Sequence, residues 1–183
     1  NYDAIITKPI SLTNVKTSKI LKRGFKSILK SPSILFDKKK RNIKLHFDMH
    51  HGHGNLDKAI NLLNNDDMHD FRNFVEQNSS FNPHIMFIAK SHILEKWFGT
   101  LFPWLEKCYK FGSENNLYDG YNKRLIAFLM ERFSSYWFQR FKNKSQLSYC
   151  RLGKIHLSNS INRFVPTIKM PFSFLQCPTL HKF

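Results

Sequence analysis

The stretch IMFIAKSHILEKWFGTLFPWLEKC, residues 85–108, sets a short strand directly against the start of a long helix. Ile85 to Ala89 is a continuous apolar run too short for a helix, and it reads as a buried strand. From Ser91, a residue type that caps helices, the period changes. Ile93, Leu94, Trp97, Phe98, Leu101, Phe102, Trp104, Leu105 and Cys108 then share one wide apolar face. Pro103 has no N–H to donate and is expected to kink or restart this helix.

Upstream, Tyr2 to Ile6 reads as a short opening strand. Between Leu12 and Leu35, Ile20, Leu21, Phe25, Ile28 and Leu29 recur at helical spacing with lysines on the other side, so a basic amphipathic segment is expected, ended by Pro32. Ile43, Leu45 and Phe47 alternate with Lys44, His46 and Asp48, the period of a half-buried strand. The run His50-His51-Gly52-His53-Gly54 then reads as a loop, after which Asn55 is placed to cap a helix over residues 56–63. A second short helix turns Phe71, Phe74 and Val75 inward, and residues 78–83 form a loop.

Downstream, the clearest helix runs from Tyr118 to about Phe141, with Leu125, Phe128, Leu129, Phe133, Tyr136, Trp137 and Phe141 as apolar positions. On it Tyr121, Arg124 and Glu131 are expected on one face. Residues 142–183 hold Pro166, Pro171 and Pro178 among scattered aromatics without a steady period, so an irregular tail follows a domain at 1–141. Strands alternating with helices indicate an α/β or α+β domain, here rich in helix. The chain begins at Asn1 and enters a strand at once, which suggests that it was cut from something longer.

Composition narrows the function. With 42% hydrophobic and 15% aromatic residues the chain is built to fold. Its 29 Lys and Arg against 13 Asp and Glu give +16, which favours anionic partners such as nucleic acid, lipid headgroups or the pyrophosphate of a sugar nucleotide. The basic residues crowd the first quarter, at Lys16, Lys19, Lys22, Arg23, Lys26 and Lys30 and again at 38–41. Three widely spaced cysteines indicate neither a disulfide framework nor a zinc cluster, and a reducing cytosol suits them. No apolar run is long enough to span a bilayer, so any membrane contact is peripheral.

The sequence lacks a dinucleotide fingerprint, a P-loop, a zincin helix, a nucleophile elbow and an Asp-x-Asp triplet. His46, His50, His51, His53 and Asp48 have the chemistry of metal ligands, but their spacing is taken as unsuited to a helical His pair and matches no zinc pattern. No metal site is assigned, and the glycines are read as a tight turn in which one or two histidines bond substrate or backbone. Glu131, beside Arg132 on a core-forming helix, has two readings: an internal ion pair, or a carboxylate that takes a proton from a sugar hydroxyl. Nearby arginine fits a pyrophosphate through paired donors.

Taken in order, residues 51–57 (HGHGNLD), 86–90 (MFIAK), 97–106 (WFGTLFPWLE) and 121–133 (YNKRLIAFLMERF) form a series. The series resembles a family of bacterial capsular-polysaccharide and lipopolysaccharide glycosyltransferases long catalogued as a domain of unknown function. That family carries a His-Gly before an Asp-Leu helix, an Asn-Met-Phe-Ile strand, a Trp-Leu-Phe helix, a Tyr-x-x-Arg and a Glu-Arg-Leu. Met86-Phe87-Ile88, Leu101 to Glu106, Tyr121 with Arg124, and Glu131 with Arg132 match, over roughly residues 1–141. Ile85 stands where the family usually has Asn, Phe133 replaces Leu, and the lysine-rich stretch from Lys16 to Arg41 has no counterpart.

The resemblance implies the acceptor-side half of a GT-A-like hexosyltransferase, whose Rossmann-like nucleotide-binding half would precede Asn1. It also implies a donor such as UDP-galactofuranose or a UDP-hexose, a lipid-linked or oligosaccharide acceptor, and any divalent metal, Mn or Mg, held by the other half. In this reading Glu131 is the base or acceptor anchor, and Arg124 and Arg132 contact phosphate or hold Glu131. His51 and Tyr121 line the acceptor cleft, and His53 and Asp57 join the substrate-binding set. The basic segment would keep the enzyme cytoplasmic and peripheral, at the anionic inner face of the bacterial plasma membrane. Two rivals remain: a non-catalytic interaction domain, and a nucleic-acid-binding module. The second is disfavoured, so no nucleic-acid partner is assigned, because the aromatics follow core spacing and do not alternate with basic residues on a strand.

Overall fold

β1, Ala4–Thr7, lies where an opening strand was expected and buries Ala4, Ile6 and Thr7. The computed structural model describes residues 3–142 and 147–150. After β1 comes the two-residue strand β2, Ile10–Ser11, and then the basic segment. That segment is two short helices, α1 (Thr17–Arg23) and α2 (Phe25–Lys30), separated at the buried Gly24. Glycine is a poor helix former, and there is no room for more at this point: a Cβ on Gly24 would stand 2.8 Å from the carbonyl oxygen of Ile20. Two 3₁₀ turns follow, Pro32–Leu35 and Lys38–Lys40.

The strand expected over Ile43 to Phe47 is instead the first half of a helix, α3 (Ile43–His51). Asn42 starts it, its side-chain oxygen accepting from the Leu45 N–H at 2.8 Å. The alternation has a helical cause. Ile43 and Phe47, four apart, enter the main core, whereas Leu45 and Met49, also four apart, enter a second small cluster with Ile20 and Ile34. At about 100° per residue these two pairs point to roughly opposite sides, and interleaved they imitate a period of two.

Gly52 (φ 95°) and Gly54 (φ 81°) make the expected tight turn into α4, Asn55–Ile60. Asn55 does not cap this helix; it is its first residue, and its amide donates to the carbonyl of His51 at 2.8 Å. α5, Asn65–Gln77, buries Phe71, Phe74 and Val75 as the spacing predicts. β3, Ser80–Phe81, pairs antiparallel with β2, matching Phe81 to Ile10.

β4, Phe87–Ala89, pairs antiparallel with β1, with Ile6 opposite Phe87. It is an edge strand of the sheet and is not buried as expected: Ile85, Phe87 and Ala89 are half-buried against the core, and Met86 and Ile88 are exposed. α6, Ser91–Glu114, runs unbroken through Pro103. Pro103 and Gly99, the residue one turn before it, lie on the exposed side, where water can reach the carbonyl that proline leaves unbonded. A 3₁₀ turn, Gly120–Arg124, then precedes α7, Leu125–Lys142, so Tyr121 is not on the long helix. Within the stretch expected to be irregular, Leu147–Cys150 form β5, parallel to β1. Residues 143–146 and 151–183 lie outside the described residues.

The result is a helix-rich α+β fold with two small sheets. Its core is aromatic. Phe71 of α5, Trp104 of α6 and Phe133 of α7 meet with ring centroids 4.9 to 5.9 Å apart. Trp104 also donates its buried indole N–H to the Ala59 carbonyl at 2.8 Å, tying α6 to α4. Among the described residues no helix is long and apolar enough to cross a membrane.

Candidate functional site

Three pieces of chain meet where α3 ends: the histidines of its last turns, the 3₁₀ turn carrying Tyr121, and the first half of α7. Phe128 and Arg132 are four apart on α7 and share one side, and Arg124, the last residue of the 3₁₀ turn, lies one turn before Phe128. Phe128 is the hinge of the arrangement, stacking on His51 at 3.9 Å and on Tyr121 at 5.2 Å. Tyr121 in turn lies nearly parallel to His51, 5.7 Å away with 9° between the planes. Arg124 caps the stack, its guanidinium carbon 5.6 Å from the Phe128 centroid. Tyr121 is 62% exposed, so one aromatic surface of this stack faces solvent.

Arg132 anchors the inner end. It is 2% exposed, donates through Nη1 to Glu131 Oε2 at 2.6 Å, and lies 4.0 Å from the ring centroid of Phe81. Its Nη2 is 3.2 Å from His46 Nδ1. A guanidinium can only donate, so this nitrogen of His46 accepts and the ring proton sits on Nε2. Burial pushes Arg132 down to about 10, with Glu131 opposing, and it stays a cation at neutral pH. His46 and His51 are pushed down to about 3, first by burial and then by Arg132, so both are neutral.

His46 and His50 are one helical turn apart with ring centroids at 4.7 Å, the helical His pair that the spacing was taken not to allow. Both Nδ1 atoms are engaged by arginine, since Arg23 Nη1 reaches His50 at 3.1 Å. Among the described residues no group of three or more His, Cys, Asp or Glu side chains converges as metal ligands would. Three buried polar atoms of the site, Arg132 Nε, His51 Nδ1 and Asn122 Oδ1, make no hydrogen bond. Each such atom costs about 1–3 kcal/mol, so three in one cluster are unusual for a purely structural corner.

Of the residues singled out from sequence, His51, Tyr121, Arg124, Glu131 and Arg132 are thus linked. Tyr121 and Arg124 join from the 3₁₀ turn, not from the single helix face expected for them with Glu131. His53, in the glycine turn, and Asp57, on α4, make other contacts. His53 Nδ1 is 3.1 Å from Asp48 Oδ2, and Asp57 accepts from Lys44 at 2.6 Å and Arg72 at 3.2 Å. Together with Asp48, whose carboxyl burial pushes up, they clamp the glycine turn against α3. They line a separate cleft of about 200 Å³ that also takes in Lys30, Lys40 and Lys44.

Sequence reasoning placed His46 in the histidine cluster but not beside Arg132, and it missed Phe81. Recognising α3 as a helix would have put His46 one turn before His50, whereas nothing local marks Phe81, which meets Arg132 only through the fold. No curated protein and no solved structure matches the chain. A family model does, over residues 6–144, a span that holds every linked residue of this site. The chain therefore belongs to the family described as Domain of unknown function (DUF4422).

Proposed function

We propose that this chain is the acceptor-side half of a GT-A-like glycosyltransferase that moves a sugar from a UDP-sugar to a growing cell-surface polysaccharide. The observation that carries the reading is the Glu131–Arg132 ion pair, built next to a half-open aromatic stack that includes Tyr121 and His51. Sugar rings present C–H faces that pack on aromatic rings and hydroxyls that bond polar groups at the edge, and the exposed Tyr121 side chain carries both a ring face and a hydroxyl.

In this reading the acceptor ring lies on Tyr121 with the reacting hydroxyl directed to Glu131. As the hydroxyl oxygen attacks the donor's anomeric carbon, its proton passes to the Glu131 carboxylate. The bond from that carbon to the UDP oxygen breaks with its electron pair, and UDP departs as an anion. Arg132 positions the carboxylate, and the exposed Arg124 is placed to attract the diphosphate. His53 and Asp57 shape the glycine turn and do not contact sugar in this scheme. In this reading any divalent cation is held by the nucleotide-binding half.

Saturation-transfer NMR with capsular or lipopolysaccharide oligosaccharides tests the acceptor half directly. Transfer to the sugar C–H protons that disappears in Tyr121→Ala supports the reading. Absence of transfer, or transfer unchanged in that variant, contradicts it.

A further inference from the structure

Among the described residues, nine large hydrophobic side chains are exposed, and four of them fall between residues 21 and 36: Leu21 (53%), Phe25 (62%), Leu29 (67%) and Phe36 (87%). Phe25 and Leu29, four residues apart, share the outward side of α2, and Leu21 is the exposed apolar residue of α1 just before the break at Gly24. The inward side of the same helices is separately satisfied. Ile20 is fully buried, and Ile28 packs with it on Leu45 and Met49 of the second small cluster. The exposed apolar residues are therefore surplus to the packing of these helices.

Its surroundings are basic. Leu21, Phe25 and Leu29 are each followed directly by an exposed lysine, Lys22, Lys26 and Lys30, so ammonium groups flank the apolar residues. Residues 16–41 carry ten of the chain's 29 Lys and Arg but one of its 13 acidic residues, Asp37. Three of those lysines, at 38–40, lie next to Phe36. A protein partner would need a complementary acidic and apolar surface. An anionic lipid surface supplies negative headgroups above an apolar layer, in the order these two sets of residues require.

We infer that α1, α2 and the following turn form a membrane-docking surface, in which Leu21, Phe25, Leu29 and Phe36 enter the headgroup boundary of an anionic bilayer while the lysines hold its phosphates. The segment is coupled to the candidate site, because Arg23 at the end of α1 bonds His50, which packs on His46. Docking would thus set the site close to the bilayer, where a lipid-carried acceptor is found. The docking itself does not rest on the transferase reading: vesicle binding tests one and sugar transfer the other.

Vesicle co-sedimentation of the full chain is the test, with phosphatidylcholine alone and with phosphatidylglycerol added. Binding is expected to the anionic vesicles only and to weaken as salt is raised. Phe25→Ser with Phe36→Ser should lower the partition coefficient about tenfold or more, and Lys22→Gln with Lys26→Gln about fivefold per charge. Circular dichroism establishes that each variant is folded. A Phe25→Trp variant should be quenched by brominated lipid, which surface adsorption by charge alone would not produce. Failure to bind anionic vesicles, binding undiminished by loss of the two phenylalanines, or a dimer that Phe25→Ser dissociates in place of vesicle binding would each overturn the inference.

Discussion

Arg132 lies 4.0 Å over the face of Phe81, two residues brought together from β3 and α7. The contact gives the guanidinium a second support, so its position does not depend on Glu131 alone. Arg132 is fixed three ways, by the ring, by the carboxylate and by the neutral His46.

Loss of Arg132 should therefore be felt as stability. Arg132→Ala removes a buried cation, strands His46 Nδ1 and opens space over Phe81, and a cost of about 3–5 kcal/mol is expected. Glu131→Gln leaves an acceptor oxygen for Arg132 Nη1 and should cost only about 1–2 kcal/mol. Urea unfolding measures both, as midpoint shifts at constant m-value.

Acid should weaken the fold through the buried imidazoles. Burial, and then the Arg132 cation, hold His46 and His51 down to about 3 in the folded chain, against an ordinary 6.5. Above pH 6.5 both states are neutral and nothing is lost. Below it the unfolded chain takes up protons that the folded chain refuses, so stability falls as pH drops from 6.5 toward 3. The slope approaches about 1.4 kcal/mol per pH unit for each histidine. Urea midpoints from pH 7.5 to 4 should show this decline, flattened by about one proton in His46→Asn. An unchanged slope in that variant would show that His46 is not held neutral.

Arg41 should govern the docking segment. It is 5% exposed and donates to the carbonyls of Thr13, Val15 and Leu35 and to the hydroxyl of Thr17, binding both ends of the basic segment to one guanidinium. Lysine cannot reproduce that fork. Arg41→Lys and Arg41→Ala should both speed tryptic cleavage between residues 16 and 30 well before global unfolding, with cleavage elsewhere unchanged.

The glycine turn gives an internal comparison. A Cβ on Gly52 would stand 2.6 Å from Asn55 Nδ2 at a φ of 95°, so Gly52→Ala should cost about 2–3 kcal/mol and release His51 from its stack. Gly54 has a left-handed backbone but open space around it, and Gly54→Ala should cost only about 1 kcal/mol. Thermal unfolding of the two variants reads the difference.

What was legible in the sequence was whatever a single period reported. α5 and the apolar face of α6 follow one steady spacing and were found; α3 serves two cores at once, and its interleaved pairs gave the wrong period. Gly24 was visible, but that the lysine-rich segment breaks there and turns Phe25 outward depends on what α3 offers it to pack on. The site divides in the same way. Glu131 and Arg132 are neighbours in sequence and could be paired on paper, whereas Tyr121 on His51, seventy residues apart, exists only through the fold. Arg41 looked like the end of a charge run and is a buried staple.

The most direct test of the transferase reading is acceptor-dependent release of UDP from a panel of UDP-hexoses and UDP-galactofuranose by the full-length protein, comparing wild type with Glu131→Gln. Release is expected to fall by about 10²–10⁴-fold in the folded variant, the range of a lost general base. Release that persists unchanged in Glu131→Gln would reduce the Glu131–Arg132 pair to a structural contact and contradict the assignment.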